Sequence, residues 1–349
     1  MVWDRVAMLR RRGHTVMLVA AEGSDFLDET PSQLVMPSVR WNNPAEASDV
    51  RYPLGYLEDT RAAYVRVIEH FERNASDFDL IENHSLHGDL LAAAGRLGAP
   101  LVTTLHTPPL PEMLAAHEAA TAPKSAFLAV SEHTAQEWRS QGIESRVLPN
   151  AIDSDRWSFG SGGPDWVWFG RIVPEKGTHL AIQAARASGR ALVIAGRIGD
   201  ADYFDRFVRP SLDSSIRYVG ALRQPELSRL VGRSSCALVT PMWDEPFGLV
   251  IAEALATGTP VAAFKTGGVP EVVAESLGAR LVPMGDVAAL ADAARALSAK
   301  VGIARRRAIR SDAVRRLSLR RGAEELESFY RQLIGTPAQR LDISVAVPA

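Results

Sequence analysis

Between Cys236 and Phe264 the chain carries two apolar runs, Cys236-Ala-Leu-Val-Thr240 and Pro260-Val-Ala-Ala-Phe264, that read as buried parallel strands. The segment joining them can then only be the turn and crossover helix of a βαβ unit. Pro246 suits a first helical position, where a missing N–H costs nothing, and Gly258 suits the left-handed residue past a helix end. The pattern therefore predicts a helix from about Pro246 to Thr257. Its leading amides, those of Phe247, Gly248 and Leu249, would point out of the carboxyl edge of the sheet, where open α/β sheets bind ligands. Unpaired amides at the positive end of a helix dipole attract an anion, and Gly248 has no Cβ to keep it away.

Two carboxylates bracket this anion site, Glu245 at its mouth and Glu253 further along the helix. An acid beside a phosphate is unfavourable unless hydroxyls donate to it, so a sugar or ribose carrying the phosphate is the natural partner. Taken alone, the same pair also reads as a capping residue and a solvated helix residue.

A second cationic element lies upstream. Trp166-Val-Trp-Phe169 is a strand, and Gly170-Arg171-Ile-Val-Pro-Glu-Lys176-Gly177 is the loop at its carboxyl end. Arg171 offers a bidentate fork and Lys176 a point charge, both suited to a diphosphate, or to nothing more than an exposed basic loop. Strands also end at Gly196 and at Val219.

The first half has the same strand and helix rhythm. A helix up to Arg12 leads into a strand from His14 to Ala20, and Leu34-Val-Met36 is a short strand candidate. A loop from Trp41 to Pro53 is of the kind that lies over a cleft, or is a variable surface loop. A helix over Leu57 to Asn74 and the strand Asp79-Leu-Ile-Glu82 follow, then the strand Leu101-Val-Thr-Thr-Leu105. His84 and His106 fall just past the ends of these last two strands, on one edge of the sheet, and two histidines there favour a site. The remaining histidines are scattered and predict no metal-ligand cluster.

The chain's 349 residues suffice for two domains, and 23% charged with 46% hydrophobic residues is a globular composition. A formal charge of -2 gives no argument for nucleic acid. Cys236 is the single cysteine and sits in an apolar strand, so it reads as a buried small hydrophobe in a reducing, cytoplasmic setting. No run approaches the ~18 apolar residues of a membrane span.

The segment Glu245-Pro-Phe-Gly, then Glu253-Ala-Leu-Ala-Thr-Gly-Thr-Pro-Val261, then Gly267-Gly-Val-Pro-Glu271, resembles the two-glutamate signature of retaining family 4 glycosyltransferases, the glycogen-synthase-like group 1 enzymes. Gly170-Arg171 with Pro174-Glu-Lys176-Gly177 resembles their diphosphate loop, Asn150-Ala-Ile-Asp153 their interdomain connection, and His106-Thr107 their histidine beside the anomeric carbon. The resemblance implies a GT-B fold, with two Rossmann-like doubly wound parallel-sheet domains facing a central cleft. It implies an acceptor-side domain over 1–153, a donor domain over 154–320, a helix over 321–334 crossing back to the first domain, and a frayed tail over 335–349.

It further implies that His106, Arg171, Lys176 and Glu245 are catalytic, and that Gly170, Gly196, Val219, Phe247, Gly248, Leu249 and Glu253 bind the donor, with His84 on the acceptor side. The expected reaction moves a sugar from a nucleotide-diphosphate sugar to a sugar, lipid or small-molecule acceptor, without metal or cofactor. A nucleotide-sugar-binding protein without turnover and a GT-B sugar epimerase are the other readings. The eight arginines from Arg305 to Arg321 form either a patch for an anionic membrane or a solvated helix face. In the family, a strand and a glycine-rich loop precede the first helix and fill the middle of the sheet. The expectation here is a chain whose start is missing, with that place left open.

Overall fold

A computed structural model describes residues 1–42, 48, 52–120, 125–274, 276–299 and 302–347. The chain divides into two compact units, the first built from Met1–Asn42, Tyr52–Asn150 and Leu319–Ala349 and the second from Ala151–Ser318.

In the first unit α1 (Val2–Arg11) leads through Gly13, at φ 92°, into β1 (Thr15–Val19). Then come α2 (Tyr56–Arg73), β2 (Leu80–Asn83), α3 (Asp89–Ala92), β3 (Leu101–Leu105), α4 (Pro111–Ala119), β4 (Ser125–Ala129), α5 (Glu132–Arg139) and β5 (Arg146–Val147). The stretch at Leu34 to Met36 makes no strand. Ser32–Leu34 is a turn of 3-10 helix, and Met36 contributes one isolated bridge to Ala21. In the second unit, β6 (Trp166–Phe169), α6 (Thr178–Ala187), β7 (Leu192–Ala195), the short α7 (Ala201–Tyr203), β8 (Ile216–Tyr218) and α8 (Gln224–Gly232) come first. They are followed by β9 (Cys236–Val239), α9 (Leu249–Ala256), β10 (Val261–Lys265), α10 (Val269–Val273), β11 (Ala279–Pro283), α11 (Val287–Ser298) and α12 (Ile303–Leu317). Its sheet runs β11-β10-β9-β6-β7-β8, with every pairing parallel. Strands of such a sheet are covered on both faces, which is why Trp166, Ile194, Cys236 and Phe264 are buried together.

After Ser318 the chain returns to the first unit as α13 (Leu319–Ile334) and then β12 (Asp342–Ala346). This corrects two expectations at once. The tail is not frayed, and the middle of the first sheet is not open. The order is β1-β12-β2-β3-β4-β5, so the last strand of the chain lies between β1 and β2, parallel to both. It takes the place that a strand ahead of α1 would hold in the resembled family. The physical reason is in its residues: Ile343, Ser344, Val345 and Ala346 are all buried, and apolar β-branched side chains suit an interior parallel strand. Thr15 N–H donates to Leu341 O at 3.0 Å, Asp79 N–H to Asp342 O at 2.8 Å, and His84 N–H to Ala346 O at 2.8 Å. The interior backbone groups that a vacant slot would strand are thereby paired.

The arginine run is also not one face. Arg305, Arg307, Arg315, Arg320 and Arg321 are exposed, while Arg306 is fully buried. Arg306 donates to Gly160 O (2.7 Å), Ser234 O (2.9 Å), Gly232 O (2.9 Å) and Thr259 Oγ1 (2.7 Å). Arg310 donates to the carbonyls of Trp157 and Ala256 and to Ser154 O at 3.0 Å. Ala256 is the last residue of α9, so this guanidinium satisfies carbonyls at the negative end of that helix. Arg315 and Arg316 pair with Asp312, and Arg321 pairs with Glu325.

Candidate active site

In the second unit the carboxyl ends of β6, β9 and β10 lie side by side, and their loops are knitted by backbone contacts. Thr240 Oγ1 accepts from Trp168 Nε1–H at 3.0 Å and lies 3.0 Å from Lys176 O and 2.9 Å from Gly177 O. Met242 N–H donates to Glu175 O at 2.8 Å. Thr266 Oγ1 donates to Trp243 O at 2.9 Å, and Gly268 N–H to Glu245 O at 2.8 Å. Two glycines make this closeness possible. A Cβ on Gly177, at φ 62°, would lie 2.2 Å from Thr240 O, and one on Gly267, at φ 50°, would lie 2.3 Å from Glu245 O.

This packing brings Lys176 and Glu245 together, with Nζ 2.5 Å from Oε2. Trp243 Nε1–H donates to the same carboxylate oxygen at 3.0 Å, and its ring lies under the ammonium at 5.0 Å. Gly248 stands directly behind, in the left-handed region at φ 92°, as the N-cap of α9. The helix thus starts at Leu249, not near Pro246 as the proline suggested. The carbonyls of Trp243 and Glu245 are taken by the loop contacts above, and the left-handed Gly248 interrupts any helical path from Pro246 into α9. Ile251 N–H donates to Gly248 O at 2.9 Å, so the amides ahead of it, from Phe247 to Val250, stand outside the ladder of α9, and Phe247 buries its side chain. Glu253 is the fifth residue of α9 and half-buried.

Arg171 is exposed on the loop of Lys176. Gly170 and Gly196 meet backbone to backbone, since a Cβ on Gly196 would lie 1.8 Å from Gly170 O. Gly196 N–H donates to Gly220 O at 2.8 Å, and Val219, just past β8, is exposed. The ends of β6, β7 and β8 therefore form one backbone-lined edge beside the Lys176 and Glu245 pair.

In the first unit His84 and His106 are also brought together, with His84 Nδ1 2.8 Å from His106 Nε2 and ring centroids 5.1 Å apart. His84 is buried and His106 half-buried, so the first stands behind the second instead of lining a surface. Glu82, Arg5 and Tyr330 complete the cluster, and sequence reasoning missed all three. Glu82 and His84 share one face of β2, and Thr104 and His106 share that of β3. Arg5 of α1 pairs with Glu82 and lies 3.4 Å from Thr104 Oγ1. His84 Nε2 is 3.0 Å from Glu82 Oε1. Burial opposes ionisation of Glu82, but the charge of Arg5 and the His84 ring outweigh it and hold the carboxyl well below its ordinary value. Burial lowers both imidazoles, His106 furthest. A glutamate inside the apolar run Leu80 to Glu82 was the available signal, because a buried acid requires a partner.

Of the 41–53 loop, residues 43–47 and 49–51 lie outside the described residues. Pro53, Leu54, Tyr56 and Asp59 border a surface depression of about 380 Å³ together with Glu22 and Arg40. Contrary to the expectation of no ligand cluster, the packing of α3 on α4 brings ligand atoms of His87, Asp89 and Glu112 within 4.8 Å of one another. Sequence separation hid this group, and Glu112 is exposed. Among the described residues no helix is long and apolar enough to cross a membrane.

Two family models match the chain in succession, Glycosyltransferase Family 4 over residues 1–156 and Glycosyl transferases group 1 over residues 152–313. Glycogen synthase of Mycobacterium tuberculosis (strain CDC 1551 / Oshkosh) is 37% identical over 177 residues, 47% of this chain and 42% of that protein. The match thus spans less than half of that relative's length. Phosphatidyl-myo-inositol mannosyltransferase of Mycobacterium leprae is 26% identical over 292 residues, 77% of this chain and 74% of that one. Among solved structures, sucrose-phosphate synthase from Thermosynechococcus elongatus superposes with TM-score 0.71 at 19% identity, covering 95% of this chain and 94% of the other. Anabaena HepE in complex with UDP-glucose superposes with TM-score 0.67 at 22% identity, covering 80% and 84%. From these matches and the two parallel-sheet units, the chain belongs to the group 1 glycosyltransferases and has their GT-B fold.

Proposed function

We propose that the chain transfers a sugar from a nucleotide-diphosphate sugar to an acceptor hydroxyl with retention of configuration. The observation that carries this reading is the meeting of Lys176, Glu245 and the N-terminus of α9 at one sheet edge. Lys176, the Leu249 and Val250 amides and Arg171 offer positive charge fixed before reaction, where a leaving diphosphate develops negative charge. That fixed charge does what a bound cation does elsewhere, so the reaction runs without one. Glu245 accepts from sugar hydroxyls and Glu253 from the ribose. The bond from the anomeric carbon to the diphosphate oxygen breaks, the bond to the acceptor oxygen forms on the same face, and the acceptor proton passes to the departing phosphate. In the first unit His106 presents a polar edge to substrate hydroxyls.

UDP-glucose is the first donor to try, because a structural relative was crystallised with it. The full chain is heated with UDP-, GDP- and ADP-sugars, and the donor that raises the unfolding temperature is then offered sugar acceptors. An α-linked product from an α-linked donor is the expected result. A donor that binds and yields no product with any acceptor would leave a nucleotide-sugar-binding protein; an altered sugar released without acceptor would leave an epimerase.

A further inference from the structure

We propose that Glu82 and His84 are positioning residues that set the tautomer of His106, holding its proton on Nε2 and leaving Nδ1 as a bare lone pair for a substrate hydroxyl. The argument follows the hydrogens. Glu82 is fully buried against the guanidinium of Arg5, and an ionised carboxylate so placed can only accept. His84 Nε2 stands 3.0 Å from Glu82 Oε1. The approach is too bent for a formed hydrogen bond, but a bare ring lone pair 3.0 Å from an ionised carboxylate oxygen is repelled by it, so Nε2 of His84 carries the hydrogen. A neutral imidazole has one hydrogen, which leaves His84 Nδ1 an acceptor. At 2.8 Å from it, His106 Nε2 must then be the donor. His106 Nδ1 is left without a hydrogen, on a half-buried ring that makes no other hydrogen bond among the described residues.

Arg5 from α1 keeps Glu82 ionised, the Tyr330 phenol from α13, itself raised by burial, borders the same pair, and the Met1 ammonium adds its positive charge near the two imidazoles, which favours their neutral forms. Arg5 also lies 3.4 Å from Thr104 Oγ1 on β3, so one cation braces the two strands that carry the histidines. The purpose assigned to Nδ1 rests on the transferase reading; the tautomer itself does not.

The test is long-range proton–nitrogen NMR of the full chain with labelled histidine side chains at pH 7.5, His106 being assigned by its loss in His106→Gln. A neutral ring protonated on Nε2 is expected, and a His106 ring protonated on Nδ1 overturns the proposal in the wild-type protein alone. Two variants separate positioning from packing. His84→Gln can donate to Glu82 and accept from His106, so it keeps the Nε2–H form, whereas His84→Leu fills the space without either bond and leaves a tautomer mixture. In the transfer assay His84→Leu lowers kcat about tenfold or more with donor KM little changed, and His84→Gln restores most of it. A single Nε2–H form persisting in His84→Leu would show that the relay does not set it. A correct tautomer in a chain that transfers no sugar would instead sink the functional reading and leave the relay standing.

Discussion

Lys176 on the loop after β6 is ion-paired with Glu245 on the loop after β9, at 2.5 Å, across two adjacent strands of the second sheet. The cation proposed to meet the diphosphate is thus already engaged by the acid proposed to meet the sugar. A phosphate arriving there draws Lys176 partly away from Glu245, and sugar hydroxyls compensate the acid only if a sugar is attached.

Removing that competition has opposite effects on two ligands. Glu245→Gln should bind the free nucleoside diphosphate more tightly, by a few-fold, because the nearby negative charge is gone. Turnover should fall more than tenfold in the same variant, which loses the charged acceptor for sugar hydroxyls, and in Lys176→Ala as well, where the leaving group loses a charge-assisted contact of more than ~1.4 kcal/mol. Calorimetric titration with the diphosphate, set beside the transfer rate, checks both; weaker diphosphate binding by Glu245→Gln would contradict the account.

Arg306 has no accessible surface and makes four hydrogen bonds to four protein acceptors. Burial presses its pKa down to about 10, which still leaves it charged at neutral pH. Arg306→Ala strands three carbonyls and opens a cavity, and should destabilise the second unit by about 3 kcal/mol or more. Arg307→Ala, on the exposed side of the same helix, should lie within about 0.5 kcal/mol of wild type. Urea unfolding of both variants gives the comparison.

These two arginines also show what the sequence could and could not disclose. Apolar runs such as Trp166 to Phe169 and Cys236 to Val239 announce parallel strands directly, because a strand buried on both faces has nothing polar to alternate with. The loops after them carry Lys176, Glu245 and Gly248 at positions that motif reading reaches. Which arginine of a run turns inward depends on helix phase relative to carbonyls some 50 to 150 residues away, and no local pattern contains that. The same holds for Arg5 with Glu82, which meet only once β2 and α1 are packed. The start of α9 was misread because Pro246 is as comfortable in a turn as at a helix start.

Chain order hid the place of β12 most completely. A short apolar stretch after a helix, near the end of a chain, looks like a tail until the sheet shows a slot for it. Val345→Asp puts a charge at a fully buried position between β1 and β2 and should abolish folding of the first unit. The second unit draws no strand from this segment, so its amides should remain protected from hydrogen exchange. Wild-type protection throughout the first unit in that variant would mean that the sheet closes without this strand.

Glu327 of α13 fastens the same region, and its effect on stability has a defined pH window. Its carboxylate takes Arg12, with Nη2 3.0 Å from Oε2, Arg331 at 3.1 Å and His14 Nε2 at 3.2 Å. His14 in turn accepts from Leu341 N–H at 3.0 Å through Nδ1, so the chain leading into β12 hangs on this carboxylate through one ring. The hydrogen bond from Arg12 is foremost in holding the Glu327 pKa down to about 2, against an ordinary value of 4.5. A carboxyl lowered in the folded state stabilises fully above its unfolded value and loses that contribution as pH falls through its folded value. The window is therefore pH 4.5 down to about 2. Glu327→Gln should cost roughly 1 to 3 kcal/mol at pH 7, the Arg12 end of the pair being partly solvated. The gap between variant and wild type should narrow steadily as pH drops across the window. Urea unfolding at stepped pH measures it, and a gap that stays constant down to pH 2 would show that the cost of the substitution is one of shape and not of charge.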